Sequence, residues 1–148
     1  MRGVTRLFIA AGLIVLIAGA VVPAFRTACT TIDGVDGLSI DTTAVGRGEA
    51  RRFCYMDKAG NRIRFVLARG SDGKVRSIFD ACRQCAAYRK GFALTKGAVV
   101  CRLCGNRYPI DRMVAGEASC VPMALAHDER GNMVQIKTAD LKKGQSFF

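Results

Sequence analysis

The chain has no tryptophan, three prolines and a single histidine, His127, in 148 residues. A metal site built mainly from imidazole is therefore excluded. So is a c-type haem, because Ala86 and Gly105, not His, follow the two Cys-x-x-Cys segments. Three Tyr and eight Phe are the only aromatics. Acidic residues are scarce too: 12 Asp and Glu stand against 23 Lys and Arg, a formal charge of +11. Such an excess suits anionic partners. The cations are scattered, however, densest at Arg51-Arg52, Arg62/Arg64 and Lys142-Lys143, with no helix-length stripe. They read as a solvated basic surface, and no nucleic-acid partner is expected. No nucleophile–base set and no phosphate-binding loop is visible, so catalysis on a small molecule has no support.

Long apolar runs are absent except for one. Residues 7–25 carry no charge and follow Arg2 and Arg6. At about 1.5 Å per residue, a helix of this length nearly spans a hydrocarbon layer of about 30 Å. Basic residues precede it and no acidic residue comes before Asp33. That balance predicts an N-in, C-out, single-pass orientation. Residues 1–27 are read as a membrane anchor or signal segment, and the length of the run favours an uncleaved anchor. Residues 28–37, with Thr, Gly and Asp but little periodicity, are read as a linker.

From Leu38 onward the pattern is short strands between turns. Strands are predicted at residues 51–57, 62–68, 75–79, 92–95, 98–101, 107–110 and 133–137. Turns are predicted at 58–61, 71–74 and Lys96-Gly97, and a helical turn at 138–141. Strand–helix–strand alternation is missing, which excludes a parallel α/β sheet. The expected fold is mainly β: a small antiparallel β-domain over residues 38–148 with two metal-binding knuckle loops, preceded by one transmembrane helix.

Cysteine is the residue the chain has in excess, with seven. Cys82-Arg83-Gln84-Cys85 and Cys101-Arg102-Leu103-Cys104 are two Cys-x-x-Cys knuckles with 15 residues between them. Two intervening residues let a tight turn aim both sulfurs at one metal, and a hairpin between the knuckles sets the pairs face to face. Four thiolates in a tetrahedral arrangement suit zinc or iron–sulfur. Two disulfides would also fit an oxidising compartment. A thioredoxin-like dithiol fits least, because its βαβ context is missing. Gly105 permits the positive φ that knuckle turns need.

These residues resemble a known family. Ile78-Phe79-Asp80-Ala81-Cys82-Arg83-Gln84-Cys85, then Gly91-Phe92, then Val99-Val100-Cys101-Arg102-Leu103-Cys104-Gly105-Asn106-Arg107-Tyr108-Pro109-Ile110-Asp111 are similar to the FtrD-like membrane iron–sulfur proteins. Ala118-Ser119-Cys120-Val121-Pro122 matches that family's later Cys-containing turn, with Ser119 and Val121 where Gly and Asn are usual. The resemblance implies an iron–sulfur cluster on Cys82, Cys85, Cys101 and Cys104. It also implies electron transfer in a ferrous-iron transport system of the cytoplasmic (inner) membrane, with the domain facing the periplasm. Its partners would be an iron permease and periplasmic iron-binding components. The competing function is a zinc-stabilised, non-redox binding or scaffold domain of a membrane transport complex. A fainter resemblance is to Rieske domains. Cys101 to Tyr108 is similar to their second loop with Cys in place of His, and Cys120-Val121-Pro122 to their Pro-containing loop.

Other residues carry weaker expectations. Cys120 is a candidate additional ligand, a disulfide partner of Cys54, or a buried small residue. Cys54 reads as a core or disulfide residue ahead of a ligand. Cys29 would cross-link two chains or stay free. Arg83 and Arg102, inside the knuckles, are candidates for tuning a cluster or docking an acidic partner. His127 is expected to be solvated, and Asp80 and Asp111 to shape the turns beside the knuckles.

Overall fold

The structure is a computed structural model, described here for residues 29–33, 36–114 and 120–148. The apolar run at residues 7–25 lies outside the described residues. Among the described residues, no helix is long and apolar enough to cross a membrane.

Among the described residues, eleven strands form three sheets. They are β1 (Thr30–Ile32), β2 (Gly37–Asp41), β3 (Glu49–Met56), β4 (Arg62–Arg69), β5 (Val75–Cys82), β6 (Phe92–Thr95), β7 (Ala98–Cys101), β8 (Arg107–Pro109), β9 (Pro122–Ala124), β10 (Asp128–Arg130) and β11 (Met133–Lys137). The five-stranded sheet runs β1-β3-β4-β5-β9, one three-stranded sheet β10-β11-β2, and the other β6-β7-β8. Among the described strands every pairing is antiparallel except β1 with β3. The helix α1 (Thr138–Lys142) falls where the helical turn was expected.

The large sheet is the middle layer, and side-chain alternation explains why. Phe53, Tyr55, Ile63, Phe65, Leu67, Phe79 and Ala81 pack with Leu38, Ile40, Val134 and Ile136 of the β10-β11-β2 sheet. The alternate residues Val66, Ala68, Ile78 and Cys82 pack with Phe92, Val99 and Cys101 of the β6-β7-β8 sheet. Phe53, Phe65 and Phe79 stand in one cross-strand row. Phe65 is fully buried, and a side chain of this kind stabilises by about 1.5–3 kcal/mol.

The turns follow their residues. In the β3–β4 connection, Asp57 accepts bonds from the backbone N–H groups of Ala59 and Asn61 at 2.9 and 2.7 Å, an Asx arrangement. Gly97, at φ +77°, closes the two-residue β6–β7 hairpin that sets Phe92 opposite Cys101.

Three expectations are corrected here. The stretch read as a linker carries β1, which pairs with β3 through Thr30 and Phe53. Cys29 is neither free nor an interchain link, because it forms a disulfide with Cys54. Cys54 is bonded to Cys29, so it is neither a ligand nor the partner of Cys120. The bridge closes a sequence separation of 25 and pins β1 to the sheet edge. A loop of that size is worth about 3 kcal/mol. Cys29→Ser is therefore expected to lower stability by about 3 kcal/mol while leaving bound metal unchanged. Thermal unfolding and an iron assay on the same sample test this; unaltered stability would count against the role.

Candidate metal centre

The site forms where three strand ends meet. Cys82 ends β5 and Cys101 ends β7, and both are buried in the apolar layer between the sheets. The first knuckle turns through a bond from Cys85 N–H to the Cys82 carbonyl at 3.0 Å. The second turns through a bond from Gly105 N–H to the Cys101 carbonyl at 3.0 Å, with Gly105 at φ +75° as expected. Cys101 N–H also bonds the Asn106 carbonyl at 2.9 Å, closing the loop at its base.

A third segment completes the group. β9 pairs with β5 through Ile78–Ala124 and Cys82–Pro122, so β5 is bulged between its two contacts. Bulges re-aim side chains, and here the bulge ends at a thiol. Arg83 N–H bonds the Val121 carbonyl at 2.9 Å, and the Tyr108 hydroxyl donates to the Cys120 carbonyl. The Cys120 Sγ is thereby held 2.8 Å from Cys82 Sγ, 3.4 Å from Cys104 Sγ and 3.8 Å from Cys85 Sγ.

Five free thiols converge at this point. The sulfurs of Cys82, Cys85 and Cys101 lie within 4.8 Å of one another, and so do those of Cys85, Cys104 and Cys120. Cys82 and Cys101 are buried, Cys85 and Cys120 partly so, and Cys104 is exposed. The centre thus reaches from the core to the surface. Burial pushes the Cys82 thiol up to about 11, with the bond to Cys120 adding to it. Cys85 is raised for the same leading reason, then by its bonds to Cys101 and Cys120. Cys120 is lowered, chiefly by its bond to Cys82. Metal binding must displace the protons of these thiols.

A buried ionic network lies directly below. Asp80, two residues before Cys82, accepts from Arg52 Nε at 2.9 Å and from Phe92 N–H at 2.8 Å. Arg64 Nε stands 3.8 Å from the same carboxylate. The Phe92 carbonyl accepts from the Arg52 guanidinium and, at 3.0 Å, from Arg102 Nε. Arg102 is therefore anchored to the β6 backbone, whereas the exposed Arg83 engages through its backbone N–H. Asp80, on β5, ties β3, β4 and β6 to its own strand and does not shape a turn. Asp111 does, accepting from Ser71 N–H and Oγ at 2.8 and 2.9 Å. His127 is not simply solvated: its ring bonds Ser77 Oγ at 2.7 Å and the Val75 carbonyl at 3.2 Å. It takes no part in the thiol group.

The sequence reading put Arg52 on a solvated basic surface, whereas the side chain is buried in this network, and it gave Tyr108 no role beyond the family match. Arg52 had one usable signal, since it shares a strand face with Cys54 and flanks the apolar Phe53.

Among the described residues the donor set is all sulfur, with no imidazole or carboxylate in the group. This is the ligand chemistry of iron–sulfur clusters, which take four thiolates. A family model described as membrane iron-sulfur containing protein FtrD-like matches residues 45–148, more than two thirds of the chain. No curated protein matches it. Among solved structures, a crystal structure of the quaternary ammonium Rieske monooxygenase CntA with an inhibitor is similar at a TM-score of 0.47 and 16% identity. That likeness covers 69% of this chain and 31% of the monooxygenase, so the chain spans under a third of that protein. The chain belongs to the FtrD-like family of membrane iron–sulfur proteins, and its cofactor is an iron–sulfur cluster.

Proposed function

We propose that this protein is a membrane-anchored electron carrier in a ferrous-iron transport system, its domain facing the periplasm beside an iron permease and iron-binding components. The observation that carries the redox reading is the reach of the thiol group from buried Cys82 and Cys101 to exposed Cys104. A carrier needs a centre shielded from bulk water on one side and close to a partner on the other. The bound cluster supplies a one-electron couple. The chain's own residues hold it, exclude water through Phe92, Ile78 and Ile110, and place cations near it. The apolar run at residues 7–25 and its basic N-terminal flank support the anchor and its orientation. The iron-transport setting rests on family resemblance.

Voltammetry on the full-length holoprotein tests the carrier reading. Four thiolates carry more negative charge than a two-imidazole set, so the couple is expected well below zero, toward roughly −400 mV. Its potential is also expected to be flat between about pH 6 and 8, because a titrating imidazole is what bends such plots. The single His of this chain is bound to Ser77 and Val75 and not to the thiols. A holoprotein with no reversible couple would end the carrier reading. A potential that falls steadily with pH would end the all-thiolate assignment.

A further inference from the structure

The thiol count does not match the ligand count. All seven cysteines lie among the described residues; Cys29 and Cys54 are joined, and five thiols remain in one group. An iron–sulfur cluster with protein thiolate ligands takes four. One thiol is therefore in surplus, and the structure indicates which position is shared.

Three of the five are fixed by their surroundings. Cys82 and Cys101 end buried strands and belong to the apolar core. Cys85 is bound into the first knuckle and belongs to both close groups of sulfurs. Cys104 and Cys120 differ from these. Their sulfurs stand 3.4 Å apart and reach the group from opposite chain segments. Cys104 sits exposed at the tip of the second knuckle. Cys120 is partly buried, with its carbonyl held by Tyr108 and the next carbonyl by Arg83. Each is within 4.8 Å of Cys85.

We infer that Cys104 and Cys120 are alternate ligands for a single position of the cluster, so that four thiols bind at any time and the fifth is free. Exchange between them is balanced. The incoming thiol forms its metal–sulfur bond and gives up a proton, the other metal–sulfur bond breaks, and the departing thiolate takes up a proton. No electron is transferred and no other reactant is needed. Its consequence is a cluster that can keep four ligands while its solvent-side sulfur is displaced.

The inference rests on the cluster and not on the electron-carrier reading. A holoprotein without a reversible couple would end that reading and leave the thiol count unchanged. The test is alkylation of the full-length, anaerobically purified holoprotein with iodoacetamide under native conditions, followed by peptide mapping and an iron assay. About one equivalent of label per chain is expected, divided between Cys104 and Cys120, with iron retained. Cys104→Ser and Cys120→Ser should each keep at least about half of the wild-type iron and take up no label, because the remaining four thiols are all engaged. Their reduced-state electron paramagnetic resonance spectra should differ from each other. The double variant should lose the iron. The inference is overturned if either single variant loses iron as completely as Cys101→Ser, if wild-type label falls on Cys82, Cys85 or Cys101, or if no thiol reacts. The wild-type labelling needs no variant, so a folding defect in one of them does not leave the question open.

Discussion

Replacing Cys101 by Ser is expected to strip the protein of its iron and to unfold much of the lobe that holds it. Two effects add. Ser is a poor ligand for iron, and Cys101 is one of the three thiols with no alternate. Its Sγ belongs to the inner group with Cys82 and Cys85, on the buried side of the site. Cys101 is also 2% exposed, between Val99, Phe92 and Ile110 in the apolar layer. A hydroxyl left without a partner there costs about 1–3 kcal/mol before any metal is considered. Bound metal is itself folding free energy, worth up to about 10–16 kcal/mol for structural zinc in small domains. The strands of the β6-β7-β8 sheet are only three or four residues long, so loss of the metal weakens a small sheet. The expected readings are iron and acid-labile sulfide near background and a melting temperature lower by on the order of 10 °C or more. Wild-type iron content in Cys101→Ser would defeat the assignment of the inner thiols. Cys29→Ser is the control, costing stability but not iron.

The parts of this site that could be read in the sequence are those encoded locally. Each knuckle is a Cys-x-x-Cys turn complete within four residues, and Gly105 marks the second. Lys96-Gly97 announces the hairpin that brings the knuckles together. The strands from β3 to β8 were visible for the same reason, as alternating runs bounded by Asn, Asp and Gly turns. What depended on distant pairing was left open, and Cys120 stood as ligand, disulfide partner or buried residue. Cys120 reaches the group only because β9 pairs with a bulged β5, and a three-residue strand beginning with Pro has no pattern to announce it. β1 is equally short and pairs parallel to β3, so the Cys29–Cys54 bridge had no local trace. Seven cysteines permit many pairings, and only the sheet order selects one. Asp80 was read as a turn residue because it stands beside a knuckle. In the fold it lies on an interior strand, where its partners come from β3, β4 and β6.

Asp80→Ala is expected to produce the other large loss, about 3–5 kcal/mol of stability, the range for breaking one side of a buried ion pair. The side chains of Arg52 and Asp80 are 6% and 2% exposed. Removing the carboxylate leaves the buried Arg52 charge without its counter-ion, with the Phe92 carbonyl still accepting from it. It also orphans Phe92 N–H, which donates to Asp80 at 2.8 Å. Arg64 suffers as well. Burial already lowers its guanidinium below the usual range, with Asp80 the main charge opposing that shift. Its guanidinium carbon lies over Phe148, 5.2 Å from the ring centroid, and that contact cannot replace a counter-ion. The effect should extend to the metal. Phe92 pairs with Cys101 across the β6–β7 ladder, and Asp80 is two residues from Cys82 on the same strand face. The carboxylate therefore fixes the spacing of the two buried ligands, and iron content should fall along with stability. Gly91 supports this account independently. At φ +65°, a Cβ on Gly91 would stand 2.6 Å from an Asp80 carboxylate oxygen, so Gly91→Ala should damage the same contact from the other side. A double-mutant cycle of Arg52→Met with Asp80→Asn, read by thermal unfolding and iron content, should show coupling above about 1 kcal/mol. If Asp80→Ala unfolds within about 1 kcal/mol of wild type and keeps its iron, the pair does not hold the knuckles in register.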